Sequence, residues 1–313
     1  MMSTLFECLP NRNRNPHLAF PLPGRLGLPG LKTTPYSASN NMKHYRINPD
    51  SKVKLTETDP GDTGDYPAND KGKAAAEENT KKLLEKLSQL QERLYAGSTQ
   101  ALLIVLQAMD AGGKDGTIKH VMSGVNPIGC RVISFKAPTP IDLAHDFLWR
   151  VHHEVPPSGQ IGIFNRSHYE DVLMPRVHGQ ITDKLAEQRL VHINNFEKLL
   201  AQSGTTVLKF FLYISKDEQR KRLEERLHDP DKHWKFTPYD LVERKLWSKF
   251  QETYEAAIAA TSTEYAPWYV VPANHKWYRN LVVADIVVTA LEKMELKCVP
   301  PRGGIDLAKI KIE

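Results

Sequence analysis

Between Lys73 and Tyr95, apolar residues recur at spacings of three and four: Leu83, Leu84, Leu87, Leu90 and Leu94 share one face. That period predicts an amphipathic helix. The pattern then changes character. ALLIVLQA, Ala101 to Ala108, is a continuous apolar run of the kind buried on both faces of a parallel sheet. Four later runs also read as strands: CRVISFKA from Cys130, QIGIFN from Gln160 to Asn165, TTVLKFFLYIS from Thr205 and PWYVVPA from Pro267. Helical patterns lie between and after them, over 141–153, 182–203, 217–228, 239–260 and 275–297. Strands alternating with helices predict an α/β fold, a layered sandwich around a central parallel sheet. LVVADIVVTAL from Leu281 is interrupted by Asp285 and falls short of the ~20 apolar residues of a membrane span, so it reads as a packed helix.

The chain ends read differently. Residues 1–41 are rich in Pro, Asn and Gly, with Glu7 as their one acid and Arg12, Arg14, Arg25 and Lys32 scattered among them. An acid-poor, Arg-bearing leader is one form of organelle transit peptide. The prolines and glycines interrupt any amphipathic helix, however. A disordered leader, or an untranslated stretch upstream of a true start at Met42, fits better. Residues 42–72 read as an extended arm with turns. A single domain is expected over 73–300, followed by a tail over 301–313.

Composition narrows the function classes. The 313 residues are 41% hydrophobic and 25% charged, which suits a large globular domain with a sizeable core. A net charge of +5 is mild, and no dense Lys/Arg block alternates with aromatics, so nucleic acid is not the expected partner. Cys8, Cys130 and Cys298 are far apart and odd in number. That spacing points to reduced thiols in a cytoplasm rather than to zinc.

Chemistry concentrates in three stretches. QAMDAGGKDGT, Gln107 to Thr117, follows the first strand run and leads into a short helical pattern. Strand, glycine-rich turn and helix together make a phosphate cradle, in which backbone N–H groups of Gly112, Gly113, Lys114, Asp115, Gly116 and Thr117 face phosphate oxygens and Lys114 reaches over them. The match to the standard spacing is degenerate. Ala108 stands where the first glycine belongs, and Asp115 replaces the hydroxyl residue that usually holds a metal ion. Asp110 is the replacement candidate, because a carboxylate beside phosphates is tolerable when a divalent cation lies between them. Asp115 would favour the first turn of the helix.

The second stretch is IGIFNRSHYEDVLMPRV, Ile161 to Val177, an apolar strand ending in polar residues. Strand C-termini form the ligand crevice of a parallel sheet. Asn165, Arg166, Ser167, His168, Tyr169, Glu170 and Asp171 are therefore expected near the mouth of the loop. Arg166 suits a bidentate phosphate contact. Asn165 is a ligand to phosphate or metal-bound water, and Glu170 binds metal or accepts from a nucleobase amino group. A helix cap at Asn165 or Ser167 completed by Glu170 is the plainer alternative. The third stretch, KDEQRKRLEERLHDPDKHWK from Lys216, is a charged helix and a turn. Arg222 and Arg226 share its face, either as a mobile lid over a phosphate or as solvated ion pairs. Trp234, Trp247, Trp268 and Trp277 read as packing residues.

AMDAGGKDGT, FNRSHYEDVL, SFKAPTPIDLAHDFLWRVH and HDPDKHWKF together resemble the polyphosphate kinases of the second type, over residues 43–297. The resemblance implies a P-loop kinase-like three-layer sandwich with a helical lid over about 216–240. It implies Mg²⁺-dependent (or Mn²⁺-dependent), reversible phosphoryl transfer between inorganic polyphosphate and nucleotides, with no membrane partner and assembly as a homo-oligomer, dimer or tetramer. Asp110 and Lys114 match the family's loop acid and lysine, and Arg166 its strand-end arginine. Arg222 and Arg226 match its paired lid arginines. Asn165 departs from the usual Asp and Glu170 from the usual Asn; both resemble the family's third class, which takes AMP and ADP and so makes ATP, with guanine nucleotides as further acceptors. A polyanion also needs a basic groove, for which Lys114, Lys136, Arg166, Arg176, Arg222 and Arg226 are the candidates. An ATP-dependent nucleoside monophosphate kinase and a non-catalytic polyphosphate or nucleotide binder are the rival expectations.

Overall fold

In the computed structural model of the protein, residues 45–297 and 310 are described. The leader 1–41, the candidate start Met42, Cys8, Cys298 and the tail, apart from Ile310, lie outside the described residues. Asn69 opens the first helix by accepting from Gly72 N at 3.0 Å, so α1 spans Asp70–Gly97, three residues earlier than the leucine period suggests. The five strand runs all become strands: β1 (Ala101–Gln107), β2 (Cys130–Ser134), β3 (Ile161–Asn165), β4 (Thr205–Tyr213) and β5 (Trp268–Pro272). They form one parallel sheet in the order β2-β3-β1-β4-β5. Every residue of β1 and β5 is buried, whereas edge strand β2 exposes Arg131, Val132 and Ser134.

Helices cover both faces. On one side α1, α2 (Lys114–Val121) and α10 (Lys276–Lys293) pack together. On the other lie α5 (Glu170–Val177), α6 (Asp183–Gln202) and α9 (Trp247–Thr261). This is the parallel α/β sandwich the alternation predicts, in the three layers the resemblance implies. Hydrophobic burial holds it: Leu103, Val105, Phe164, Leu208, Phe211, Val271 and Val287 are each 1% exposed or less. Each such side chain contributes roughly 1.5–3 kcal/mol relative to exposure.

Three helical expectations are revised. The pattern at 141–153 splits into α3 (Pro140–Leu143) and α4 (Trp149–His152), because Thr139 and Asp142 close a capping box and Asp146 accepts from Leu148 N at 3.0 Å. The pattern at 239–260 breaks at Leu246 into α8 (Pro238–Lys245) and α9. Helix α5 is not among the periodic stretches; it follows the cap alternative at Asn165 or Ser167, but its N-cap is Tyr169 with no side-chain cap bond, and Pro175 lies inside it. The charged helix is α7 (Lys216–His228), followed by a 3-10 turn over Pro230–Lys235.

The arm packs on the domain. Leu55 is fully buried, and its N–H donates to Glu255 at 2.7 Å. A buried charged cluster lies against the middle of β4. Lys209 of β4 donates to Glu197 of α6 at 2.5 Å, to the Thr261 carbonyl at 2.6 Å and to the Tyr169 hydroxyl at 3.1 Å. Burial works to raise the Glu197 pKa, but Lys209 and His168 outweigh it and hold the carboxyl below its ordinary value. The cluster ties β4, α6 and α9 to the segment that leaves β3.

Candidate active site

The order β2-β3-β1-β4-β5 places β3 and β4 on opposite sides of β1. A crevice therefore opens at the C-terminal end of β1. It is a cavity of about 600 Å³ lined by Asp110–Gly116, by Lys136, by Asn165, Arg166 and Glu170, and by lid and helix residues from Gln219 to Tyr254.

The loop from Ala108 to Gly113 is built on unusual backbone. Ala111 has φ 59° and Gly113 φ 100°, the latter where only glycine is unstrained. A Cβ on Gly112 would also stand 2.8 Å from the Met109 carbonyl oxygen. Gly113 precedes α2, whose first turn presents its N–H groups to the cavity. Lys114 Nζ rests on the Ala108 carbonyl at 3.2 Å, and burial lowers its pKa. Asp110 is 28% exposed, and its carboxylate lies 3.7 Å from Arg166 Nη2.

Arg166 leaves β3 with φ 61°, a strained conformation for a residue with a Cβ, and its N–H donates to Leu106 O at 3.1 Å. That turn aims its guanidinium toward Asp110. Glu170 lines the same wall. Gln107 donates to its carboxylate at 2.9 Å while accepting from Ser167, the amide orientation that satisfies both partners. Burial raises the Glu170 pKa in spite of Arg166 and Lys114. The rest of the strand-end cluster departs from expectation. Ser167 is fully buried, with Oγ accepting from Tyr169 N at 3.2 Å. His168 and Tyr169 turn inward onto Glu197 at 3.2 and 2.9 Å. Asp171 pairs with Arg150 at 2.9 Å.

Asp115 serves a contact that its helix position does not suggest. Its carboxylate accepts from Asn165 Nδ2 at 2.9 Å and from lid residue Lys235 Nζ at 2.9 Å. Partial burial opposes the effect, but those two donors hold its pKa below the ordinary range. Beside Lys235, Trp234 is 77% exposed at the cavity rim and is not a packing residue.

The structure thus brings Asp110, Gly112, Gly113, Lys114, Asp115, Gly116, Lys136, Asn165, Arg166, Glu170 and Arg226 around one cavity. It does not bring Thr117, Arg176 and Arg222 into the lining. Thr117 Oγ1 donates back to Gly113 O at 3.1 Å, and Arg176 pairs with Asp183 at 2.9 Å. Arg222 is 6% exposed and points under the loop, donating to Glu218 (2.7 Å), Ala111 O (3.0 Å) and Ala273 O (2.6 Å). Of the paired arginines, Arg226 alone lines the cavity. Asp240, Glu243, Trp247, Phe250 and Tyr254 complete the far wall and were missed in the sequence, where they read as ordinary positions of one amphipathic helix.

Among the described residues, no group of three or more His, Cys, Asp or Glu side chains forms a metal site, and no helix is long and apolar enough to cross a membrane. Asp110 presents one carboxylate to the cavity, and one or two carboxylates suffice for a divalent cation whose shell is completed by waters and substrate phosphates.

Comparison with known proteins points one way. Residues 70–298 match the family model described as polyphosphate kinase 2. The chain is 54% identical over 272 residues to an AMP/ADP-polyphosphate phosphotransferase of Meiothermus ruber, covering 87% of this chain and 100% of that protein. It is 42% identical over 270 residues to an ADP-polyphosphate phosphotransferase of Rhodopseudomonas palustris, covering 81% and 91%. The crystal structure of polyphosphate kinase 2 from Arthrobacter aurescens superposes with a TM-score of 0.81 at 41% identity, over 88% of this chain and 95% of that one.

Proposed function

The chain belongs to the polyphosphate kinase 2 family, and on that premise we propose that it transfers the terminal phosphoryl group of inorganic polyphosphate to AMP and to ADP, giving ADP and ATP. The observation that carries this reading is the single cavity that joins the loop Asp110–Gly116 to Arg166 and Glu170. The amides of the loop and Lys114 would seat the donor phosphates. Arg166 and Arg226, approaching from the strand end and the lid, would neutralise charge on the transferring group. Lys136 would extend the basic track outward. Glu170 and Asn165 stand where the acceptor nucleotide would lie, and Trp247, Phe250 and Tyr254 give that side an apolar wall. Asp110 would hold a divalent cation, Mg²⁺ in this reading, which when bound neutralises and aligns the reacting phosphates. Phosphoryl transfer is mostly positioning and charge neutralisation, so no strong general base is required.

The test uses purified protein, AMP or ADP, Mg²⁺ and polyphosphate, with no nucleoside triphosphate added, and follows products by chromatography. ATP from both acceptors is the expected result, with most turnover lost in a folded Asp110→Asn variant. ATP from ADP alone would remove AMP from the proposal. No product without a triphosphate donor would refute it and favour the ATP-dependent kinase.

A further inference from the structure

Arg279, in the first turns of α10, is 2% exposed and makes no ion pair among the described residues. Its hydrogen bonds go to the neutral Asn280 Oδ1, from Nε at 3.2 Å and from Nη2 at 2.8 Å. Nη1 has no acceptor among the described residues. The guanidinium lies against the phosphate loop: a Cβ on Gly113 would collide with Nη1, and one on Gly116 would stand 3.5 Å from Nη2. A second cation stands close by: Arg222 Nη1 would be 3.4 Å from the same Cβ on Gly113. Arg222 has Glu218 as its counter-charge; Arg279 has none among the described residues. Burial, with Arg222 adding to it, pushes the Arg279 pKa down to about 9. A buried, unpaired guanidinium is a costly arrangement to keep. Here it lies where the N-terminus of α2 already favours negative charge.

We infer that Arg279, which lies behind the loop and does not itself line the cavity, is the buried positive charge of an anion subsite, whose counter-charge arrives with the ligand as a phosphate of a phosphoanhydride chain seated on Gly113–Gly116. The subsite lies on the α10 side of the loop. It takes the donor chain and not the acceptor nucleotide because the loop seats the donor in the proposed function, on which this assignment rests.

The test is thermal melting of the full chain with inorganic triphosphate, and separately with AMP, in wild type, Arg279→Met and Arg279→Lys. Arg279→Met alone is expected to melt no lower than wild type, because an uncompensated buried charge has gone. Its triphosphate affinity, read from the melting shift, should fall about tenfold or more, the loss of one buried positive charge behind the loop, with AMP affinity unchanged. A variant that melts lower but keeps the full triphosphate shift overturns the inference, because Arg279 is then only structural. If Arg279→Met does not fold, Arg279→Lys decides. A loss confined to triphosphate is expected, and equal loss or no loss for both ligands overturns it. A wild-type chain that shows the triphosphate pattern yet transfers nothing from polyphosphate supports the subsite and refutes the proposed function.

Discussion

Arg222→Ala removes a guanidinium that is 6% exposed and bonded to Glu218, Ala111 O, Ala273 O and Asn274 O at 2.7, 3.0, 2.6 and 3.2 Å. Each charge-assisted bond is worth roughly 1.5–3 kcal/mol in isolation, but bonds made by one group do not add. Breaking a buried ionic contact while leaving its partners in place costs about 3–5 kcal/mol. At about 2–4 °C per kcal/mol, melting should fall by roughly 6–20 °C. The loop carbonyl of Ala111 and the β5–α10 turn lose their shared anchor, so the KM for polyphosphate should rise even well below the melt. Circular dichroism melts and initial rates on the same preparations measure both effects, and Arg222→Lys, lacking the planar fork, should recover only part of either. An unchanged melting temperature with turnover abolished would refute this reasoning. It would mean that the guanidinium swings into the cavity and acts on the transferring group, as the lid resemblance implies.

Two further outcomes follow from particular contacts. Lys209→Met strands the buried Glu197 carboxylate and should cost about 3–5 kcal/mol near neutral pH. Without Lys209 the Glu197 pKa rises above its unfolded value, so the lost stability returns as pH falls; urea titrations should show a smaller deficit at pH 5 than at pH 8, and the reverse order would refute the pairing. Asp115→Asn opens the Lys235 contact between loop and lid, which is partly exposed and worth at most about 1 kcal/mol. Melting should barely move, while limited proteolysis at the turn over Pro230–Lys235 should quicken; unchanged cleavage would show that the contact does not restrain the lid.

The sequence by itself determined the alternating α/β class and the strand ends at which the crevice opens. Continuous apolar runs such as Ala101–Ala108 can be buried on both faces only inside a sheet, and their alternation with helical periods permits few arrangements. The loop glycines and the polar residues closing β3 were legible because local backbone chemistry demands them. Splitting 239–260 into two helices was not legible, since both halves keep the apolar period. The tertiary structure decided which way side chains face. Arg222 and Arg226 are equivalent by spacing, yet one underpins the loop and the other lines the cavity, because the carbonyls of Ala111, Ala273 and Asn274 converge on Arg222 from segments distant in the chain. His168 and Tyr169 turn inward because Lys209 and Glu197 wait beneath them. Asp115 finds Lys235 across 120 residues. Arg279, ordinary in a helical pattern, is distinguished by what surrounds it, and burial without a counter-charge among the described residues is a property no single position encodes.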